Sequence, residues 1–143
     1  MSDEEQLRIY LDAYIDLYFR ENSDVPEISA KFTAGWKDNK GSWEGQIESG
    51  KRGVYILISQ EGEAVYIGTS YASKGMGSRL VAYRRKGFPD AWDNKPESVY
   101  LITVSKPYEA ASLELYMISK MPHAYNKNGK LLEELALDGS LMP

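Results

Sequence analysis

The segment Gly53-Val54-Tyr55-Ile56-Leu57-Ile58-Ser59-Gln60-Glu61-Gly62-Glu63-Ala64-Val65-Tyr66-Ile67-Gly68-Thr69 decides the fold. Residues 53–59 and 64–69 are rich in β-branched and aromatic side chains. Between them lie four polar or small residues, Gln60 to Glu63, with a glycine. Two such runs around a short glycine-containing turn predict a β-hairpin. The period of two places Tyr55, Leu57 and Ser59 on one face. Each run also pairs a tyrosine with a glycine at mirrored positions: Gly53 with Tyr55, and Tyr66 with Gly68. Glycine inside a strand marks a close approach by another backbone or a ligand. Eleven tyrosines occur in the chain, so two in strands alone would be ordinary core; the mirrored glycines single them out.

Working outward, residues 70–77 read as a loop containing Gly75 and Gly77. Residues 78–86 read as a helix with Arg79 and Tyr83 one turn apart on one side. Residues 98–105 form a third predicted strand. A helix follows over 107–121, with Pro107 in its first turn and Pro122 ending it. Leu131 to Leu137 is a short closing element. Upstream, residues 2–20 predict a helix: Ser2 and Glu5 have capping-box spacing, and Leu7, Tyr10, Leu11, Tyr14 and Tyr18 recur at helical intervals. So apolar a helix must dock on the rest of the domain or on a second chain. Residues 21–52 are weakly patterned and read as an extended arm punctuated by Pro26 and several glycines, with Trp36 and Trp43 as anchors.

The composition narrows the chemistry. At 143 residues the chain suits one compact domain, or a domain with an arm. Its apolar runs are far shorter than the roughly 20 residues that span a bilayer. The acidic start, Ser2-Asp3-Glu4-Glu5, has no signal-peptide pattern, so a cytoplasmic location is expected. There is no cysteine and only one histidine, His123. That removes disulfides, thiolate zinc sites, cysteine nucleophiles, paired-histidine metal sites and Ser-His triads. Any metal must be held by oxygen, which points to Mg²⁺ or Mn²⁺. The net charge is −4, but residues 71–106 hold 7 Lys/Arg against 3 Asp/Glu. The run Arg84-Arg85-Lys86 in that stretch is a candidate phosphate-binding patch, with a solvated helix face as its plain alternative.

Glu114 is the sharpest single signal. It lies inside the stripe of Ala110, Met117, Ile118 and Met121 on its predicted helix. A charged carboxylate there is costly unless it meets a cation. A salt bridge to Arg79 or a lysine is one solution and a metal ion is another. Arg79 could clamp a phosphate or stabilise charge on a leaving oxygen. Tyr55 or Tyr66 could serve as a general base only if its pKa, near 10 in water, were lowered by nearby positive charge. Asn126 follows Pro122 and Tyr125 in a predicted turn, where turn chemistry alone would explain it.

Taken in order, Gly53-Val54-Tyr55, Tyr66-Ile67-Gly68, Arg79-Leu80, Tyr83, Glu114 and Asn126 resemble the GIY-YIG nuclease superfamily over residues 53–130. The segment Ser73-Lys74-Gly75-Met76-Gly77 reads as an insertion relative to many relatives. The resemblance implies an α/β domain of the α+β type, with a small three-stranded antiparallel sheet flanked by helices. It assigns residues 51–143 to this nuclease-like domain and leaves 1–50 as an N-terminal helix and arm. It implies hydrolysis of a phosphodiester by a single-metal mechanism, with Glu114 as the one protein ligand of Mg²⁺ or Mn²⁺; DNA is the expected substrate, and RNA stays open. A tyrosine acts as general base, Tyr55 being favoured and Tyr66 orienting water or phosphate. Arg79 stabilises the transition state, and Tyr83 and Asn126 support the site. A non-catalytic interaction module keeping the same fold is the alternative. Residues 1–50 are acidic, a poor DNA-contacting arm, and fit better as a cap on the sheet or a surface for a homodimer or protein partner.

Overall fold

The computed structural model describes residues 3–18, 25–32, 52–70, 75–89, 92 and 95–121. Seven elements occur in the order α1 (Asp3–Tyr18), β1 (Glu27–Phe32), β2 (Gly53–Ser59), β3 (Ala64–Ser70), α2 (Gly75–Lys86), β4 (Pro96–Thr103) and α3 (Pro107–Lys120). The strands form one antiparallel sheet in the order β1-β4-β2-β3. The class is α+β, as the sequence predicts. The sheet has four strands where three were expected.

The extra strand is β1, inside the stretch read as an arm. Its alternation of Ile28, Ala30 and Phe32 with Glu27, Ser29 and Lys31 is short, and its partner β4 lies about 70 residues further on. A β-bulge at Ser29 also breaks the period. Ile28 opposes Ile102 and packs into one face, whereas Ala30 and Phe32 oppose Leu101 and Val99 and pack into the other. The Ser29 hydroxyl donates to the Leu101 carbonyl at 3.3 Å and accepts from Thr103 Oγ1 at 2.7 Å, which secures the irregular step.

The hairpin forms as expected. Gly62, with φ of 82°, makes the turn, and its N–H donates to the Ser59 carbonyl at 3.0 Å. Leu57 faces Tyr66 and Ile58 faces Ala64, so Val65 is an extra residue in β3. This bulge sends Val65 and Tyr66 to the same core, while Ala64 and Ile67 serve the other.

The sheet is the middle layer. On one face Val54, Ile56, Ile58, Ile67, Tyr100 and Ile102 meet Leu7, Leu11 and Tyr14 of α1 and Ala110, Leu113, Met117 and Ile118 of α3. On the other, Tyr55, Leu57, Val99 and Leu101 meet Met76 and Leu80 of α2, together with Trp92. The helix predicted at 2–20 spans Asp3–Tyr18 and docks on its own domain. At 16 residues it would be marginal alone. Burying Leu7, Leu11 and Tyr14, each worth roughly 1.5–3 kcal/mol, holds it in place. Its Ser2 cap, like Trp36 and Trp43 and the closing element at Leu131–Leu137, lies outside the described residues.

Helix α2 begins at Gly75, three residues before the predicted start. Gly75 has φ of 68°, open to glycine at little cost, and the next residue, Met76, is 1 % exposed. Burial of Met76 thus outweighs the poor helix propensity of the glycines around it. Gly87, with φ of 77°, ends the helix by donating to the Tyr83 carbonyl at 2.7 Å.

Candidate active site

Both motif glycines are explained by what a side chain would strike. Tyr55 and Gly68 are directly opposed across β2 and β3. A Cβ on Gly68 would overlap Cζ and the hydroxyl of Tyr55 and lie 2.7 Å from Cε2. The phenol ring of Tyr55 therefore lies across the bare backbone of Gly68. Gly53 opposes Thr103, and a Cβ there would run into the Ile102 carbonyl of β4. One glycine makes room for a ring and the other lets two strands close.

Around Tyr55, the fold gathers the other two predicted tyrosines. The Tyr55 ring centroid lies 6.2 Å from that of Tyr66 and 6.3 Å, edge-on, from that of Tyr83. Tyr55 is 4 % exposed, while Tyr66 and Tyr83 are half-buried. β2, β3 and α2 each supply one ring, so the cluster exists only once the hairpin and α2 have docked. Arg79 stands on α2 one turn before Tyr83, on the helix that covers this face.

Two aromatic residues join the cluster that the sequence reading did not select. Trp92 is 7 % exposed and stacks on Tyr66 at 5.3 Å and 28°. Phe88 lies 5.4 Å from Tyr83 and 5.9 Å from Trp92. Both follow α2 in a segment without periodicity. The only sequence signal was a lone tryptophan in a polar connection.

Glu114 is 5 % exposed in the middle of α3, inside the stripe predicted for it. A second buried carboxylate on the same helix, Glu109, has an evident structural task. Its Oε2 accepts from the N–H groups of Ser105 and Lys106 at 3.2 and 3.3 Å and so closes the helix start. That task is not open to Glu114, because mid-helix N–H groups are committed to carbonyls one turn back. Helix α3 packs against β3 and β2, the strands that carry Tyr66 and Tyr55. Its apolar neighbours on the helix enter the face opposite α2. Glu114 thus stands on the far side of the motif strands from the tyrosines. Among the described residues β3 is an edge strand, so the path between the two faces runs round that edge.

Arg84, Arg85 and Lys86 form the last turn of α2, and Lys86 is exposed. Cations at a helix C-terminus also favour the macrodipole, so this run has a structural use besides phosphate binding. Asn126 and His123 lie outside the described residues. Among the described residues, no group of three His, Asp or Glu side chains is placed to hold a metal. No described helix is long and apolar enough to cross a membrane. A scan against protein-family models finds none that matches the chain, and a search of curated proteins finds no match either.

Proposed function

We propose that this chain is a metal-dependent DNA endonuclease of the GIY-YIG type, acting in the cytoplasm. The observation that carries the reading is the Tyr55 ring seated on Gly68, with Tyr66 and Tyr83 gathered beside it. This gives Gly68 and the tyrosines of both motifs a geometric purpose beyond ordinary strand packing, while Gly53 serves strand closure.

Glu114 is the residue that would hold Mg²⁺ or Mn²⁺. A single carboxylate is too few donors for a closed protein cage, but Mg²⁺ commonly takes one or two carboxylates with waters and substrate phosphate. A metal held there would supply Lewis-acid polarisation of the scissile phosphate and offset charge on the leaving oxygen, which requires the substrate to meet Glu114 and the tyrosines at the β3 edge, since the two stand on opposite sides of the motif strands. The chain's own residues do the rest. Tyr55, as phenolate, takes a proton from the attacking water as its oxygen bonds to phosphorus and the opposite P–O bond breaks. In this reading Arg79 is the cation that would favour the phenolate and balance charge on the phosphoryl oxygens. Tyr66 orients the water or the phosphate, and Tyr83 and Asn126 support the site.

The test is incubation of the protein with single-stranded, duplex and branched DNA in Mg²⁺, in Mn²⁺ and in EDTA. A Glu114→Gln variant runs alongside. Cleavage with either metal, none in EDTA, and a loss of about 10²-fold or more in the variant is the expected result. DNA binding without cleavage under every condition would instead assign the chain to the non-catalytic interaction modules.

A further inference from the structure

The end of β3 and the start of α2 hold polar groups that the chemistry above leaves unused. Ser70, the last residue of β3, is 4 % exposed. It opposes Gly53 across the hairpin, two residues beyond Gly68, which opposes Tyr55. Tyr55 packs on the α2 side of the sheet, and the register from Gly68 to Ser70 is regular. The period of two therefore turns the Ser70 side chain to that same side. Met76, in the first turn of α2, reaches this spot as well: its methyl lies 3.0 Å from where a Cβ on Gly53 would stand. The first turn of α2 thus covers the end of the hairpin at which the Ser70 hydroxyl is buried.

The polar groups on both sides of this contact lack acceptors. An α-helix leaves its first N–H groups without an intrahelical carbonyl. Gly75 and Met76 carry two of them at buried positions of this 12-residue helix, and its first turn has no acidic side chain. Among the described residues, no hydrogen bond outside the regular elements ends on Gly75 or Met76, and the Ser70 hydroxyl has no partner. A buried hydroxyl left unpaired is destabilising, so it is a group that a ligand can satisfy. The backbone N–H groups are donors, the hydroxyl can donate, and the positive end of the helix dipole lies with them. Their complement is an anion with several acceptor oxygens.

We infer that the first turn of α2 and Ser70 together bind a phosphoryl group, with the Gly75 and Met76 N–H groups and the Ser70 hydroxyl donating to its oxygens. In the nuclease reading, on which this placement rests, the group is a DNA phosphate beside the one to be cut. The anion site itself does not depend on that reading.

The experiment follows the backbone amide resonances of the ¹⁵N-labelled full chain as inorganic phosphate is added in EDTA, with chloride at equal ionic strength as the control. The Gly75 and Met76 resonances are expected to shift saturably with phosphate and not with chloride. Ser70→Ala should weaken phosphate binding about tenfold, as loss of a hydrogen bond to a charged group does. Its urea midpoint without phosphate should be unchanged or raised, because the hydroxyl removed had no partner. No saturable shift at Gly75 and Met76 overturns the inference, and this needs no variant. Unchanged phosphate affinity in Ser70→Ala, or a lowered urea midpoint, overturns it as well. Adding a thymidine octanucleotide in EDTA distinguishes the sources. Displacement of phosphate makes the bound group a DNA phosphate, and retention makes it a free phosphate; the site stands in both cases. A parallel arm with DNA and Mg²⁺ separates the two readings. Phosphate shifts without DNA cleavage support the anion site and remove the nuclease. Cleavage without phosphate shifts keeps the nuclease and overturns the site.

Discussion

Replacing Gly68 by alanine tests the contact on which the site is built. The added methyl would occupy the space of the Tyr55 ring. Tyr55 is 4 % exposed and confined by Tyr66 and Tyr83, so its ring cannot swing clear without disturbing them. Gly68 does not have positive φ, so alanine suits its backbone and the steric contact decides the outcome. Overpacking a tight site costs typically 1–3 kcal/mol. Relief from the entropy of glycine in a strand returns about 0.5–1 kcal/mol. The expected net loss is about 1–2 kcal/mol. In a Tyr55→Ala background the ring is gone, and Gly68→Ala should be neutral or stabilising by about 0.5 kcal/mol. Urea denaturation of the four proteins of this cycle, followed by circular dichroism, measures the coupling, expected near 2 kcal/mol. Equal effects of Gly68→Ala in both backgrounds would refute the ring-on-glycine argument and the site derived from it.

Three further outcomes are expected. Arg79→Ala should slow turnover by about 10²-fold while changing DNA affinity far less, as a group acting on the transition state does. Equal losses in steady-state turnover and in anisotropy-measured binding would reduce Arg79 to a phosphate anchor. Glu109→Ala removes the acceptor for the Ser105 and Lys106 N–H groups and should cost about 1 kcal/mol by urea denaturation without altering DNA binding. Tyr14 is 2 % exposed, and its hydroxyl donates to Ser112 Oγ at 3.0 Å. Burial raises its pKa above 10.0; the Ser112 hydroxyl, which can turn to donate, opposes the rise, and the charge of Glu109 adds to it. The folded state therefore favours the neutral phenol, and this stabilisation is complete below pH 10 and lost as pH rises through the raised pKa. Tyr14→Phe should cost about 1 kcal/mol at pH 7 and flatten the alkaline fall in stability. A parallel alkaline fall in both proteins would assign it to other groups.

The elements legible in the sequence are those with a strong local pattern. β2 spans Gly53–Ser59 as predicted, and α3 begins at Pro107 as its position in the first turn required. β1 was missed because its alternation is brief and broken by the bulge at Ser29, and its partner is distant in the chain. The tyrosines of the candidate site were legible through their glycines. Trp92 and Phe88 were not, since a side chain in an aperiodic connection reveals its neighbours only after α2 and the hairpin have packed.

The sequence by itself determined the hairpin and its turn, the helical stripes, and a chemistry limited to oxygen ligands, phenols and cations. Those follow from backbone geometry and from which side chains are present. Only the tertiary structure decided that α1 docks on its own sheet, that a fourth strand joins β4, and that Tyr55 lies on Gly68. It alone brought Tyr55, Tyr66, Trp92 and Phe88 into one aromatic cluster and placed Glu114 on the far side of the strands that bear the tyrosines. These are contacts between residues far apart in the chain, and their register and facing depend on bulges and packing that no local pattern encodes.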